Sequence, residues 1–202
     1  TSSLMGLGVY PSTDKQFLGM LGMHGTYEAN TAMHESDLIL GVGVRFDDRT
    51  TNNLDKYCPN AKVIQIDINS ERLGKRHAVT VPMLADSKKT LRALIEAGES
   101  RPESPLYKAA LADRENWEAW LESFNDSDEI PMRVEPIFDV INKKAADDAV
   151  FAVDVGNVNI NFDRLMHLHG DQKWTTSGLY ATMGYGAPAS LAAAASALTF
   201  PW

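Results

Sequence analysis

Cysteine is almost absent from this sequence. Cys58 stands alone among 202 residues, so an internal disulfide is impossible and no CxxC metal or redox pair can form. We read its thiol as structural ahead of nucleophilic. No apolar run approaches the roughly 18 residues of a membrane-spanning helix, and no basic segment leads into one. A soluble, cytoplasmic protein is expected. Positive charge is also short, with 19 Lys and Arg against 27 Asp and Glu and a net charge of -8. Phosphate backbones and anionic lipids reward clustered cations and repel an acidic surface. Nucleic acid and membrane are therefore excluded as partners, and small metabolites are favoured. There is no internal repeat, and the Ala-rich run near the end reads as close helix packing. The sequence lacks an initiator methionine and stops at Phe200-Pro201-Trp202, so we read it as an internal piece of a longer protein.

What is present alternates between apolar strands and amphipathic helices. Residues 36–44 (SDLILGVGV), 62–68 (KVIQIDI) and 79–85 (VTVPMLA) read as parallel strands buried on both faces. Residues from His24 onward have helical composition, with Thr26 near the N-cap. After the third strand, Asp86 or Ser87 can cap a helix whose inner face is Leu91, Leu94 and Ile95. Charged, Pro-punctuated residues 98–105 mark a boundary. A helix over 106–124 is expected to dock its aromatic side, Trp117 and Trp120, on the protein. A second α/β unit follows: helix 134–145, strand 149–156, short strand 173–178 and small-residue helix 184–198. The predicted class is α/β, a doubly wound parallel sheet followed by the start of a second α/β domain. The predicted divisions are a first domain at 1–97, a linker and docking helix at 98–131, and a truncated second domain at 132–202.

Five segments carry residues suited to binding. Residues 19–26 (GMLGMHGT) form a glycine-rich loop entering a helix, where backbone N–H groups can meet an anion; a plain structural turn fits equally well. Residues 41–51 (GVGVRFDDRTT) bring Gly41, Gly43, Arg45 and Arg49 to the end of the first strand, where open α/β sheets bind ligands. This is not GxGxxG, since the third glycine is missing, and a nicotinamide site is demoted. Asp67 closes the second strand, where a carboxylate can accept from a ribose or simply form an Asx turn with Asn69 and Ser70. Asp86 repeats the arrangement, and three such strand ends together favour an adenine-nucleotide crevice. Residues 154–164 (DVGNVNINFDR) again run strand, glycine, helix, a pattern suited to a diphosphate. Within 176–188 (TSGLYATMGYGAP), Met183 lies between small residues, although a lone methionine is usually core. His167 and His169, with Arg164, read as a solvated helix end, and no metal set or Ser, His and Asp triad is evident.

The block from Gln16 to Asn69 (QFLGMLGMHGTYEANTAMHESDLILGVGVRFDDRTTNNLDKYCPNAKVIQIDIN) closely resembles the middle domain of the acetolactate synthase large subunit. Further on, ERLGKRH, LADSKKTL, DVGNVNIN and TSGLYATMGYGAP are more similar to pyruvate oxidase, a related family with the same domain plan. The resemblance implies FAD bound in extended form along Gly22, Met23, His24 and Gly25. It implies Gly43, Val44, Arg45, Asp47 and Arg49 beside the flavin and phosphates, and Asp67, Ile68, Asp86 and Ser87 at the adenosine. It also implies thiamine diphosphate, with Gly156, Asn157 and Val158 at the diphosphate. Ala181, Thr182 and Met183 match the segment that props the bent cofactor, and Ser177 and Gly178 match positions near the flavin.

The activity so implied is decarboxylation of pyruvate and transfer of the two-carbon unit to a second 2-oxo acid, in branched-chain amino acid biosynthesis. The alternatives are a pyruvate oxidase making acetyl phosphate, CO₂ and H₂O₂, and a non-catalytic nucleotide-binding module. Acetolactate synthases usually carry Gln-His after the DVG, where this sequence has Asn157-Val158. The family's activating glutamate and its Mg²⁺ motif have no counterpart in these residues. No catalytic or metal residue is therefore assigned, and the piece alone is expected to be inactive. A homodimer or homotetramer, with a possible regulatory subunit, is implied in the same way.

Overall fold

The computed structural model describes residues 1–199 of the chain. The glycine-rich loop enters α1 (Tyr27–Glu35), whose N-cap is Thr26. β1 (Leu38–Val42) follows, then a one-turn helix α2 (Asp48–Thr51), β2 (Lys62–Asp67) and β3 (Val81–Leu84). The three strands form one parallel sheet with β2 in the middle. Each is shorter than the apolar run that announced it. β1 stops at Gly43, whose φ of +64° turns the chain out of the sheet. Pro82 is tolerated because β3 lies at an edge, where a missing N–H breaks no ladder.

Burial is uneven across this sheet. In β2, Val63, Gln65 and Ile66 are almost wholly enclosed. The buried Gln65 amide is satisfied by neighbouring loops: its Nε2 donates to the carbonyls of Val44 (2.8 Å) and Arg72 (3.3 Å), and its Oε1 accepts from Gly74 N–H at 2.9 Å. The expectation that all three strands are buried on both faces fails. β1 alternates, with Ile39 inside and Leu38, Leu40 and Val42 exposed. α3 (Ser87–Ala97) starts at its Asp86 cap, but its expected inner face is also corrected. Leu91 is half-buried, whereas Leu94 and Ile95 are exposed. The amphipathic pattern is present, yet within the described residues nothing packs over its outer half.

α4 (Pro105–Glu122) is capped by Ser104 and lies against α1. Only Trp117 of its aromatic pair turns inward; Trp120 is half exposed, tilted against Trp117 and edge-on to Phe124 just past the helix end. α5 (Glu135–Lys144), β4 (Val150–Val153), α6 (Asn157–Leu165), β5 (Lys173–Thr176) and α7 (Gly186–Thr199) complete the chain. β4 and β5 pair in parallel, and their core is built by Phe138, Val153, Phe162, Leu165, Met166 and Leu168.

The chain's first residues stitch this second unit to the first. Trp174 Nε1 donates to the Leu7 carbonyl at 3.0 Å, Ser12 N–H donates to Leu168 at 2.9 Å, and Arg114 Nη2 donates to the Ser12 carbonyl at 3.1 Å. Two acids are shut into this junction: Glu28 of α1 is 3% exposed and Asp163 of α6 is 5% exposed. Glu28 Oε2 and both Asp163 oxygens have no hydrogen-bond partner among the described residues. Burial therefore pushes each carboxyl up to about 7, with Glu118 adding to the effect at Glu28 and Arg164 opposing it at Asp163.

An acid whose pKa is raised on folding binds more protons folded than unfolded, so stability falls as pH rises from its ordinary value to its raised one. Glu28→Gln is expected to melt like wild type near pH 4. It should become more stable than wild type by about 1 to 3 kcal/mol above pH 7. Thermal melts across that range check the sign; a constant difference would remove Glu28 as the titrating group.

Candidate functional site

Two clusters of backbone and side-chain groups stand out, one at the carboxyl ends of β1 to β3 and one at the end of β4. In the first, parallel register puts the strand ends side by side. Gly43 N–H donates to the Ile66 carbonyl at 2.8 Å, and Ala85 N–H donates to the Asp67 carbonyl at 3.1 Å. Gly43, Asp67 and Asp86 are thereby drawn to one edge, with exposed Ile68 and half-buried Ser87 next to them. The site residues Val44, Arg45 and Asp47 follow Gly43 in the same loop. Arg45 Nε meets Asp47 Oδ2 at 3.0 Å, and Asp47 Oδ1 caps α2 by accepting from Thr50 N–H at 3.0 Å. Desolvation works against ionising Asp47, but the bonds from Arg45 and Thr50 win and hold its carboxyl below the usual range.

The Gly22–Gly25 loop is tied to the same region. Met23 N–H donates to the Arg49 carbonyl at 2.9 Å, and Arg49 Nη1 lies 3.2 Å from Met23 Sδ. Asn30 of α1 clasps the loop: its Oδ1 accepts from Gly22 N–H at 2.9 Å and its Nδ2 donates to the Gly22 carbonyl at 3.1 Å. A Cβ on Gly22 would lie 2.4 Å from the Arg49 carbonyl oxygen, and one on Gly25 would lie 2.2 Å from that of Met20. These glycines are required by packing. Gly43 differs, because nothing lies within 4 Å of its Cβ position.

Asp67 forms the Asx turn and keeps its second oxygen out of it. Its Oδ1 accepts from Asn69 N–H at 2.8 Å, the Asx turn, while its buried Oδ2 has no hydrogen-bond partner among the described residues and lies 4.0 Å from Arg72 Nη1. Asp86 is the cap of α3, accepting from Lys89 N–H at 2.9 Å. A cleft of about 720 Å³ lies elsewhere. It lies between α1 and residues 50–58, and touches Gly22, Met23 and Gly25 but none of the strand-end residues. Cys58 is in its wall; burial pushes that thiol up to about 11, as befits a structural residue.

The second cluster surrounds Asp154, which the residue pattern did not single out. Its Oδ1 accepts from Val155 N–H at 2.8 Å and Gly184 N–H at 2.9 Å, and its Oδ2 accepts from Gly186 N–H at 3.1 Å. The backbone bonds from Val155 and Gly186 hold this carboxyl below its ordinary range. Ser177 Oγ accepts from Thr182 N–H at 3.0 Å. Gly178 is packed so closely against Met5 that a Cβ there would lie 2.2 Å from its sulfur. Met183 is 82% exposed, beside the exposed Ala181 and Thr182. α6 opens at Gly156 without a side-chain cap. Asn159 and Ile160 N–H groups reach the Gly156 carbonyl, which leaves those of Asn157 and Val158 facing outward, with open space over Gly156.

The clusters meet through Arg164. It does not lie on a solvated helix end: its Nε donates to the His24 carbonyl at 2.9 Å. Burial, then the charges of Arg164 and Arg49, push His24 below its ordinary pKa. His167 and His169 are likewise engaged, 3.6 Å from Glu118 and 3.5 Å from Asp147.

Both clusters suit phosphorylated ligands. Free N–H donors at an uncapped helix start beside an open glycine fit a diphosphate. An open Gly43 two residues before the exposed Arg45, with an orphan buried carboxylate oxygen at the next strand end, fits a nucleotide. Comparison with known families agrees. Residues 1–94 match the family described as thiamine pyrophosphate enzyme, central domain, and residues 154–200 match its C-terminal TPP binding domain.

The chain belongs to the thiamine pyrophosphate enzyme family.

Its relatives include the acetolactate synthase large subunit of Haemophilus influenzae, 44% identical over 95% of this chain and 34% of that protein. They include the isozyme 3 large subunit of Escherichia coli, 39% identical over 94% of the chain and 33% of the relative. The pyruvate oxidase of Lactiplantibacillus plantarum is 34% identical over 92% of the chain and 30% of its own length. The chain thus spans about a third of the length of the curated relatives it matches. Among the described residues, no helix of this thiamine pyrophosphate enzyme chain is long and apolar enough to cross a membrane.

The two kinds of glycine separate in a stability test. Gly22→Ala, at φ +105° against a backbone oxygen, is expected to cost about 2 kcal/mol or more. Gly43→Ala, at φ +64° in open space, should cost only about 1 kcal/mol. Urea midpoints of the two variants measure the difference; equal losses would mean the loops are not held as described.

Proposed function

We propose that the chain is part of a thiamine diphosphate and FAD dependent acetolactate synthase large subunit. Such an enzyme decarboxylates pyruvate and joins the two-carbon unit to a second 2-oxo acid. The observation that carries this reading is the match to acetolactate synthase large subunits along almost the whole chain, at 44% identity to the Haemophilus influenzae protein. In this reading residues 1–97 form the flavin domain, 98–131 the linker and docking helix, and 132–202 the start of the thiamine diphosphate domain.

The residues present divide the work of holding two cofactors. The N–H groups of Asn157 and Val158, over Gly156, would meet the diphosphate, and Met183, with Ala181 and Thr182, would prop the cofactor ring. Gly22, Met23, His24 and Gly25 would run along FAD, with Gly43, Val44, Arg45, Asp47 and Arg49 at its flavin and phosphates. Asp67, Ile68, Asp86 and Ser87 would lie at the adenosine, and Ser177 and Gly178 near the flavin. When bound, thiamine diphosphate supplies the carbon nucleophile and electron sink that decarboxylation needs. This chain's part is to bind, bend and orient. Mg²⁺ would be held by ligands beyond the described residues. A cytoplasmic homodimer or homotetramer, with a regulatory subunit, fits the same reading.

A second reading, pyruvate oxidase, is favoured by Asn157-Val158 and by the Lactiplantibacillus plantarum relative. Such an enzyme makes acetyl phosphate, CO₂ and H₂O₂ from pyruvate, phosphate and oxygen, and FAD would supply the redox chemistry. A non-catalytic nucleotide module is the third, opposed by the arginines retained at the strand end.

A product assay on the full-length protein with pyruvate, both cofactors, Mg²⁺ and phosphate separates them. Acetolactate in equal yield with and without air is expected; acetyl phosphate and peroxide formed only in air would establish the oxidase, and no product the bare module. Arg45→Ala should weaken FAD binding about tenfold, the scale of a lost charged hydrogen bond. Unchanged affinity by flavin fluorescence quenching would remove Arg45 from that site.

A further inference from the structure

We propose that Asp154 is the positioning residue of the Met183 loop, preforming one wall of the thiamine diphosphate pocket before the cofactor arrives. The inference rests on the reading that this loop and the start of α6 enclose that cofactor.

Met183 is 82% exposed, so contacts of its own side chain within the chain do little to fix where it points. Its backbone neighbours must do so. Ala181 sits at φ +51° and Gly184 at φ +85°, left-handed conformations that cost a non-glycine residue about 1 to 2 kcal/mol. A loop with two such turns needs external ties to hold one shape.

It has ties on both sides of the methionine. Before it, Ser177 Oγ accepts from Thr182 N–H at 3.0 Å, and Ala181 N–H donates to the Ser177 carbonyl at 2.9 Å. After it, Gly184 and Gly186 both donate to the Asp154 carboxylate, at 2.9 and 3.1 Å.

Asp154 is well placed to serve as an anchor. It follows the buried Val153 at the end of β4, and its third bond, from Val155 N–H at 2.8 Å, fixes its own orientation. Gly186 lies close on β4, where its Cβ would be 3.4 Å from the Ala152 carbonyl oxygen. One carboxylate therefore joins the strand, the loop and the first residue of α7. Bonds from N–H groups to an ionised acceptor are about twice as strong as neutral ones. An asparagine keeps the shape but offers one oxygen for three donors, and its NH₂ group would oppose at least one of them.

The test uses Asp154→Asn, Asp154→Glu and Met183→Ala in the full-length protein. Asp154→Asn should weaken thiamine diphosphate binding and lower kcat each about tenfold or more, as a displacement of about 1 Å does, with KM for pyruvate changed less than about threefold. The near-ultraviolet circular dichroism of the bound cofactor should change as it does in Met183→Ala. Asp154→Glu should recover part of the affinity. A wild-type cofactor affinity, kcat and dichroism in Asp154→Asn would overturn the proposal while Met183→Ala remained impaired. If Met183→Ala also behaved as wild type, the reading of the site itself would fall, and the proposal with it. Hydrogen exchange on the wild-type protein without cofactor decides the matter should Asp154→Asn not fold. Protection at Gly184 and Gly186 is expected, and exchange at open-loop rates would overturn the proposal.

Discussion

A helix begins with N–H groups that its own backbone cannot satisfy, and the way these are partnered organises this chain. Thr26, Asp47, Asp86 and Ser104 seal α1, α2, α3 and α4 with their own side chains. The first N–H of α7 is taken by Asp154, a residue 32 positions earlier at the end of β4. Among the described residues α6 alone combines a glycine N-cap, first-turn N–H groups with no side-chain cap and open space over the cap. α5 also starts without a side-chain cap, at Val134, but only the start of α6 pairs a glycine with open space, so anion-binding capacity among the described helices is concentrated there.

The same logic runs through the strand ends. A parallel sheet delivers every carboxyl end to one edge, so polar residues there are brought together by register without needing to be near in sequence. Gln65 shows how tightly this edge is ordered, since one buried amide joins the loop after β1 to the turn after β2. Asp67 and Asp86 each spend one carboxylate oxygen on a local N–H. At Asp67 the second oxygen is buried, and an unpaired buried acceptor carries a desolvation cost that a hydroxyl donor would relieve.

Much of this arrangement was legible in the residues. Apolar runs located the strands, and the caps Thr26 and Asp86 fell where the sequence put them, because capping is a local interaction. The exposure of Leu38, Leu40, Leu94 and Ile95 was not legible, because periodicity reports that a face is apolar and says nothing of what covers it. Asp154 was missed although it stands two residues before a glycine at a strand end, since its partners are 30 and 32 residues away. Arg164 was misread for a similar reason: its partner is the His24 carbonyl, and a backbone acceptor leaves no mark in sequence.

That last bond gives α6 a second role. The helix starts at the outward N–H groups of Asn157 and Val158, and Arg164 near its other end holds the glycine-rich loop. Nine residues at 1.5 Å rise each make a rigid spacer roughly 13 Å long. One face of it is packed by Phe162 and Leu165 into the second core, with Asp163 buried in the junction. A rotation of α6 that moved its first turn would have to shift those side chains and draw Arg164 off the loop. The separation between the start of α6 and the glycine-rich loop is therefore set by the hydrogen-bonded helix itself and by its packing into the second core.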